Sequence, residues 1–249
     1  MTDTTKEFPA PTVPSIALAI PANGPVTVQF ARDLAGLMVY MTREFPEIRV
    51  RMLICEGTLV HEARHKLVRA ALAIEDTTHI LWLDSDMRFP PDVIMRLLAH
   101  NQAVVGTNYA TRKEPHIPTA ALNDEDDLVF DRDDLPELME VHRCGMGCML
   151  VEANVYRALP APWFAIGFNK DADGYAGEDV YFCLKVQDAD LKVHIDTQLS
   201  RELGHTGTQD FTLEHAEYTR LAFLTKHPEL AERFKEAGRI PSKIVLNGT

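Results

Sequence analysis

The segment His79-Ile-Leu-Trp-Leu-Asp84-Ser85-Asp86 constrains the fold more than any other part of the chain. A short, nearly continuous apolar run is typical of a strand buried on both faces, as in a parallel sheet. Two carboxylates follow it, and because alternate side chains of an extended chain point the same way, Asp84 and Asp86 can face one site. Open α/β sheets bind ligands at the carboxyl ends of their strands. The segment therefore predicts a Mg²⁺ or Mn²⁺ site at that edge, with diphosphate oxygens as further ligands.

Strand-like and helix-like segments alternate around this segment. Short apolar runs are followed by stretches in which apolar residues recur at helical spacing. This order predicts parallel strands joined by right-handed helical crossovers, and hence an α/β domain. Besides the Asp84 strand, the predicted strands are 15–20, 49–55, 103–108, 147–152 and 192–195, and the predicted helices are 26–45, 60–75, 90–101 and 178–188. The acidic residues 111–141 are predicted to form solvated loops or hairpins.

The domain organisation follows from the same pattern. Residues 1–14 are rich in Thr and Pro and are predicted to be a flexible N-terminal arm. Residues 15–212 form the predicted α/β domain, and residues 213–249 a C-terminal helical extension of the same domain.

Charge and hydropathy exclude some partners. The 249 residues carry a formal net charge of −12, which argues against strong non-specific binding to a polyanion. Nucleic acid is therefore expected only as an acceptor of a transferred group. We see no apolar run long enough to span a bilayer and no signal-peptide pattern, so we expect a cytoplasmic protein without a membrane anchor.

Three further motifs carry chemistry. Arg64 lies early in the helix after the second strand, where it can contact a phosphate or a nucleotide edge, or form a surface ion pair. A glycine-containing loop leads into Glu178-Asp179 at a helix start. Adjacent helix residues diverge by about 100°, so only one of these two carboxylates can act as a general base. The alternative is that both are ordinary acidic residues at the positive end of a helix. His205 lies between glycines after a predicted strand and is a candidate third metal ligand.

A zinc-protease signature is also present. His61-Glu62-x-x-His65 lies on a predicted helix, where two histidines four apart share one face. We reject a protease because charged residues lie between and after the histidines, and the strand that ends at Asp84 stands where such an enzyme would supply its third ligand.

The ordered set of a strand ending in Asp-x-Asp, a Gly-Glu-Asp helix start and a Gly-His resembles the GT-A fold nucleotide-sugar glycosyltransferases, in particular their family 2-like group. The resemblance extends from about Ser15 to Gly207. It implies a single GT-A (Rossmann-like) domain with a mainly parallel central sheet flanked by helices. It also implies transfer of one sugar from a nucleotide-diphosphate sugar, with UDP favoured as the nucleotide. The processive-synthase motif Gln/Arg-x-x-Arg-Trp is missing, so polymer synthesis is not expected.

The resemblance implies roles for individual residues. Asp179 would be the catalytic base, with Glu178 beside it. Asp86 and His205 would bind Mn²⁺ or Mg²⁺ directly, and Asp84 would bind ribose or reach the metal indirectly. The residues implied in donor binding are Pro21, Asn23, Glu56, Arg64, Asp84, Ser85, Gly145 and Gly147.

The acceptor side is less defined. Trp163-Phe164 forms either a platform that stacks on an acceptor or a plug in the core, and residues 167–177 are predicted to cover the donor. The acceptor itself is unidentified: a protein, a glycoside, a lipid head group and a modified DNA base all remain open. The stereochemical outcome and the oligomeric state are open too. The alternatives to a glycosyltransferase are a nucleotidyltransferase of similar fold and a non-catalytic nucleotide-sugar-binding protein.

Overall fold

The computed structural model describes residues 13–112, 116–123, 127–169, 174–207 and 222–229. The helices are α1 (Val28–Glu44), α2 (Val60–Leu72), α3 (Val93–Ala99), α4 (Ala153–Ala158), α5 (Glu178–Gln187) and α6 (Thr197–Ser200). The strands are β1 (Ser15–Ala22), β2 (Arg49–Glu56), β3 (His79–Leu83), β4 (Met87–Arg88), β5 (Val104–Gly106), β6 (Leu138–Val141), β7 (Cys148–Glu152), β8 (Gly167–Asn169), β9 (Gly174–Ala176), β10 (Val193–Asp196) and β11 (Gly204–His205).

The chain divides into two compact units, Met1–Gly207 and Thr208–Thr249. All of the elements named above belong to the first unit. Most of the predicted N-terminal arm and of the predicted C-terminal extension lies outside the described residues. The assignment of residues 213–249 to the same domain therefore stays a prediction. No helix in the described ranges combines the length and the apolar character that crossing a membrane requires.

A seven-stranded sheet in the order β2-β1-β3-β7-β5-β10-β6 forms the centre of the first unit. Strands β2, β1, β3, β5 and β10 run in one direction, and β7 and β6 run in the other. The prediction of a mainly parallel α/β sheet is confirmed. The sheet is mixed because β7 inserts between β3 and β5, antiparallel to both.

Helices cover both faces of the sheet, as the alternation of side chains along each buried strand requires. On β1, Ile16, Leu18 and Ile20 belong to the core on the side of α1 and α3. Ala17 and Ala19 belong to the core on the side of α2, α4 and α5. The strand is fully buried along its length.

One region differs from its prediction. Within the acidic residues 111–141, which are predicted to be loops or hairpins, β6 forms an edge strand of the main sheet and pairs with β10. The strand is only four residues long and its partner lies more than fifty positions further along the chain. A local pattern therefore carries little information about it, because the pairing partner decides whether so short a segment becomes a strand.

The carboxyl ends of the parallel strands meet at one edge of the sheet. β3 ends at Leu83, directly before Asp84. A small two-stranded sheet, β4 with β11, pairs His205 with Met87 and so places His205 beside the residues that follow β3. The glycine-bounded segment before β7 reaches the same edge, since Asp84 donates its backbone N–H to the Gly147 carbonyl at 2.9 Å. The start of α5 also reaches it, because Arg64 contacts both Asp84 and Glu178. This edge gathers most of the predicted site residues.

Candidate active site

Arg64 is the buried centre of this edge. It lies in the second turn of α2 with 2% of its side chain exposed. Its Nη2 donates to both oxygens of Asp84, at 3.0 and 3.1 Å, and its Nε donates to Glu178 at 3.1 Å. Its guanidinium also lies 5.3 Å from the centre of the Trp82 ring. Burial lowers the pKa of Arg64, but Asp84 and Glu178 outweigh burial and raise it, so the group stays charged.

The structure corrects the prediction that Arg64 could form a surface ion pair. Its ion pairs with Asp84 and Glu178 are buried, and they connect α2 with the end of β3 and the start of α5. Removing one partner of a buried pair leaves an uncompensated charge, so Arg64 fixes the end of β3 and the start of α5 relative to α2. Its Nη1 is buried and has no hydrogen-bond partner among the described residues. Because that atom is buried, donor binding by Arg64 stays a prediction.

Both carboxylate oxygens of Asp84 accept hydrogen bonds from Arg64. Burial raises the pKa of Asp84 to about 6, against the lowering effect of Arg64. Asp86 and Glu178 add to the rise because they are negative charges nearby. Since both carboxylate oxygens accept from Arg64, direct binding of a metal by Asp84 would compete with that pair. This geometry favours the indirect role for Asp84.

Asp86 and His205 do come together. The Nε2 atom of His205 lies 3.5 Å from Oδ2 of Asp86, and Thr206 donates its backbone N–H to the Asp86 carbonyl at 2.8 Å. The other ring nitrogen, Nδ1, lies 3.1 Å from the carbonyl oxygen of Ala110. A carbonyl only accepts, so Nδ1 carries a proton, and its hydrogen bond orients the ring with Nε2 facing Asp86. Histidine ligands of metals are commonly oriented by a hydrogen bond of this kind.

Arg112, to which the sequence analysis gave no role, also contacts the Asp86 carboxylate. Its Nη1 lies 2.8 Å from Oδ2 of Asp86, and its side chain is 53% exposed. Burial alone would raise the pKa of Asp86, but His205 and Arg112 lower it below the ordinary value. A carboxylate held ionised beside an oriented imidazole fits Mn²⁺ or Mg²⁺ together with phosphate oxygens. A cation bound at Oδ2 of Asp86 would have to displace Arg112 from that oxygen.

A second group of metal-ligand type lies elsewhere. In the described part of the chain, His100, Glu137 and Asp196 each offer one ligand atom within 4.8 Å of the others. Asp196 already accepts from the backbone N–H of Leu199 as the N-cap of α6, and His100 Nε2 lies 3.0 Å from its other oxygen. These hydrogen bonds give the pair a structural role without an ion. None of the three residues belongs to the predicted metal set.

Asp179 lies in the first turn of α5. Its Oδ1 accepts from the backbone N–H of Val180 at 2.8 Å, and a Cβ at Gly177 would lie only 2.6 Å from that oxygen. A glycine before the helix therefore lets the carboxylate fold back over the backbone. Burial, and next the charge of Glu178, raise the pKa of Asp179. Glu178 is bound to Arg64, so the two neighbouring carboxylates are engaged differently, as their angular separation predicts.

Gly145 and Gly147 leave room for Tyr109, a second residue without a predicted role. The Tyr109 hydroxyl accepts from the backbone N–H of Gly147 at 2.8 Å, and the Tyr109 ring meets the His205 ring edge-on at 5.4 Å. A Cβ at Gly145 would lie 2.3 Å from the Tyr109 hydroxyl, and one at Gly147 would lie 2.7 Å from it. Tyr109 lies three residues beyond the end of β5, at the edge of the sheet where ligands bind in open α/β folds, so its position along the chain was a signal.

Gly147→Ala is expected to lower the free energy of unfolding by about 1–3 kcal/mol, as overpacking of a filled site does. The added methyl would lie 2.7 Å from the Tyr109 hydroxyl and 3.0 Å from the Met87 sulfur, so both would have to shift. Gly57→Ala is the matched control, because no atom lies within 4 Å of a Cβ there. Urea denaturation of both variants measures the difference. Equal stabilities would mean that the site yields freely around Tyr109.

A cleft at the carboxyl edge of the sheet is lined by part of the predicted donor-binding set. It has a volume of about 200 Å³, and its lining includes Pro21, Asn23, Asp84, Ser85 and Asp86. The exposed Glu56 ends β2 and pairs with Ala22 in the sheet, but it does not line the cleft. The cleft thus brings the loop after β1 and the loop after β3 to one place. Donor contacts by these residues stay predictions.

Trp163 and Phe164, predicted to be either a platform for the acceptor or a plug in the core, differ from each other in the structure. Phe164 is 1% exposed and packs against Trp82, Tyr156 and Phe182, so its ring is enclosed by the core and no acceptor can stack on it. Trp163 is half-buried, with its indole N–H donated to the carbonyls of Tyr156 and Leu159. An acceptor contact therefore stays a prediction for Trp163 alone.

The segment predicted to cover the donor is partly described. Strands β8 and β9 pair as an antiparallel hairpin at its two ends, and residues 170–173 between them lie outside the described residues.

The two histidines of the rejected zinc signature do not form a metal-ligand group in the described ranges. His65 Nε2 lies 2.9 Å from the carbonyl of Phe164, and neither His61 nor His65 belongs to a three-residue ligand group in the described ranges.

Comparison with known proteins identifies the fold. No protein-family model matches the sequence, and no curated protein matches it. Among solved structures, A197 from STIV is similar over 80% of this chain and 97% of that chain, with a TM-score of 0.50 and 15% identity. A crystal structure of GalNAc-T7 with UDP, GalNAc and Mn²⁺ is similar over 80% of this chain and 44% of that chain, with a TM-score of 0.50 and 10% identity. The chain has a GT-A fold, as its sequence motifs predict.

Proposed function

We propose that this protein is a metal-dependent glycosyltransferase that moves a single sugar from a nucleoside-diphosphate sugar, most simply a UDP-sugar, to an acceptor hydroxyl or related nucleophile. The observation that carries the proposal is the pairing of Asp86 with an imidazole whose Nε2 is aimed at it, beside a cleft formed by the loops after β1 and β3. The GT-A fold supports the proposal, since GalNAc-T7, of similar fold, was crystallised with UDP and Mn²⁺.

Each residue then has a chemical task. Asp86 and His205 would hold Mn²⁺ or Mg²⁺, which when bound offsets the charge of the diphosphate that leaves. The guanidinium of Arg64 would keep Asp84 and Glu178 in position, and a donor contact by its Nη1 would require that buried atom to become exposed. Asp179 would take the proton from the acceptor. Its raised pKa makes it a stronger base than an ordinary carboxylate.

Metal removal tests this function. Hydrolysis of UDP-sugars and GDP-sugars by the purified protein should require Mn²⁺ or Mg²⁺ and stop on addition of EDTA, because Asp86 and His205 alone cannot neutralise a diphosphate. Nucleotide release measured over a panel of donors checks this. Full turnover with excess chelator would refute the metal site. Release of pyrophosphate from a nucleoside triphosphate and a sugar phosphate would instead identify a nucleotidyltransferase, and binding without turnover a non-catalytic protein.

The pH dependence of transfer is expected to reflect Asp179. A base acts in its deprotonated form, so the rate should fall as the pH drops through the pKa of Asp179. That fall should lie above the ordinary carboxyl value because burial, followed by the charge of Glu178, raises this pKa. Glu178→Gln should move the fall to lower pH, since it removes one negative neighbour. A profile of kcat/KM that Glu178→Gln leaves in place would assign the titration to another group.

A further inference from the structure

A cavity of about 280 Å³ lies at the carboxyl edge of the half of the sheet that contains β5 and β10. None of the predicted site residues lines it. Its apolar lining includes Ile117, Pro118, Val129, Phe130, Leu135 and Ile195. Ile117 is 40% exposed and Phe130 is 57% exposed, so large apolar side chains face outward at this place. An apolar cavity of roughly 150 Å³ is enough to hold a benzene ring.

The polar groups of the lining are already bonded within the protein. Asn108 donates its side-chain N–H to the Val129 carbonyl and accepts from the backbone N–H groups of Thr119 and Ala120. Thr197 donates to the Pro136 carbonyl, and Arg201 donates to Asp131 at the rim. Polar groups that are satisfied internally offer little to a sugar or a phosphate. The cavity is therefore suited to a ligand group that is apolar and needs no hydrogen bonds.

The cavity and the candidate metal site share a wall. Tyr109 and Ala110 line the cavity. The same two residues also contact His205: the Tyr109 ring packs edge-on against the His205 ring, and the Ala110 carbonyl accepts a hydrogen bond from Nδ1 of His205. The Tyr109 hydroxyl reaches on to Gly147, which is hydrogen-bonded to Asp84. A group seated in the cavity is thus one side chain away from the ligands of the proposed metal.

We propose that this cavity receives an aromatic or similarly flat apolar group carried by the sugar acceptor. The inference rests on the proposed transfer reaction, and it names the acceptor class that this function leaves open: a compound whose reactive group is attached to an apolar ring. An acceptor with such a ring places it against Ile117 and Phe130. Its polar end would extend past Tyr109 towards the candidate metal site. A sugar or phosphate without an apolar group would gain nothing from this cavity.

Matched glycosides test the proposal on the full chain in the presence of UDP and Mg²⁺. The probes are phenyl and methyl β-D-glucopyranoside and the corresponding galactopyranosides, which differ in pairs only by the ring. Saturation-transfer difference NMR should show the phenyl protons closest to the protein. Dissociation constants for the phenyl compounds should be lower by about tenfold or more, since a buried ring removes apolar area from water. Equal affinities within each pair would overturn the proposal.

A charged substitution locates the binding. Ile117→Asp should weaken phenyl binding by about tenfold, because it puts a charge in the apolar lining. Leu122→Asp is the matched control: Leu122 is 42% exposed but does not line the cavity, and its variant should bind as the wild type does. Phe130→Ser is a second test if Ile117→Asp does not fold. Phenyl binding that survives both lining substitutions would place the ring elsewhere and overturn the assignment.

Donor hydrolysis in the same samples separates the two proposals. Metal-dependent turnover together with ring binding that Ile117→Asp removes supports both. Ring binding without any metal-dependent turnover would refute the proposed function, and with it the acceptor role, while an aromatic site in the cavity would stand. Turnover without a preference for phenyl glycosides would refute only the acceptor assignment.

Discussion

Asp86→Ala is expected to remove the stimulation of donor turnover by Mn²⁺ or Mg²⁺, with a loss of at least roughly a hundredfold, since a bound cation supplies several kcal/mol of charge stabilisation. The carboxylate lies beside His205 Nε2 and is kept ionised by its neighbours, so alanine would leave the imidazole as the only strong ligand of the pair. Isothermal titration with Mn²⁺ in the presence of UDP, alongside donor hydrolysis, measures both binding and turnover.

His61→Ala is the control for that experiment. His61 lies on α2 and is half-buried like His205, but it is not among the residues that line the cleft beside Asp86. Its variant should keep the metal requirement unchanged. Loss of a bound zinc ion and of all activity in His61→Ala would revive the rejected protease-type site. A mild and equal loss in Asp86→Ala and Asp84→Ala would instead show that the acidic pair is only a polar strand end.

Asp179→Asn is expected to lower sugar transfer by roughly a hundredfold or more while donor affinity stays near that of the wild type, as for loss of a general base. Asparagine keeps the size of the side chain and the oxygen that accepts from Val180. It lacks only the capacity to take a proton. Transfer rate and donor dissociation constant, measured on one preparation, separate chemistry from binding.

Glu178→Gln is the comparison for Asp179→Asn. Glu178 binds Arg64, so its loss disturbs the position of α5 and is expected to reduce transfer less than loss of the base. Equal, mild effects at both positions would reduce the pair to an ordinary acidic helix start. A transfer rate that Asp179→Asn leaves intact, with retention of anomeric configuration in the product, would exclude Asp179 as the base.

The parts of the site that could be predicted are those encoded locally. The apolar run of β3 followed by Asp84 and Asp86 fixes both a buried strand and the edge at which its carboxylates lie. The glycine before Glu178-Asp179 marks a helix start, which the structure has at the predicted residue. In each case the residues that define the element also carry the chemistry, so a few neighbouring positions were enough.

The parts that escaped prediction depend on distant partners. Arg64 and Glu178 are 114 positions apart, and no local pattern says that a helical arginine and a helix-start glutamate will share a buried ion pair. Arg112 lies in a segment whose acidic composition predicts a solvated loop, yet it contacts Asp86. Phe164 follows the half-buried Trp163 but is itself enclosed by the core, a difference that only packing decides.

The insertion of β7 between β3 and β5 has a consequence for how the molecule assembles. Both neighbours precede β7 in the chain, so until residues 148–152 pair, the strands β2-β1-β3 and the strands β5-β10-β6 are separate ribbons. Joining them requires contacts between residues that are distant in sequence, which are slow to form because loop closure costs entropy. The residues directly before β7 are Gly145 to Gly147, whose backbone holds Tyr109 and Asp84. The strand that joins the two halves of the sheet therefore also carries the floor of the candidate active site, and a chain in which β7 has not paired would have neither a continuous sheet nor a competent site.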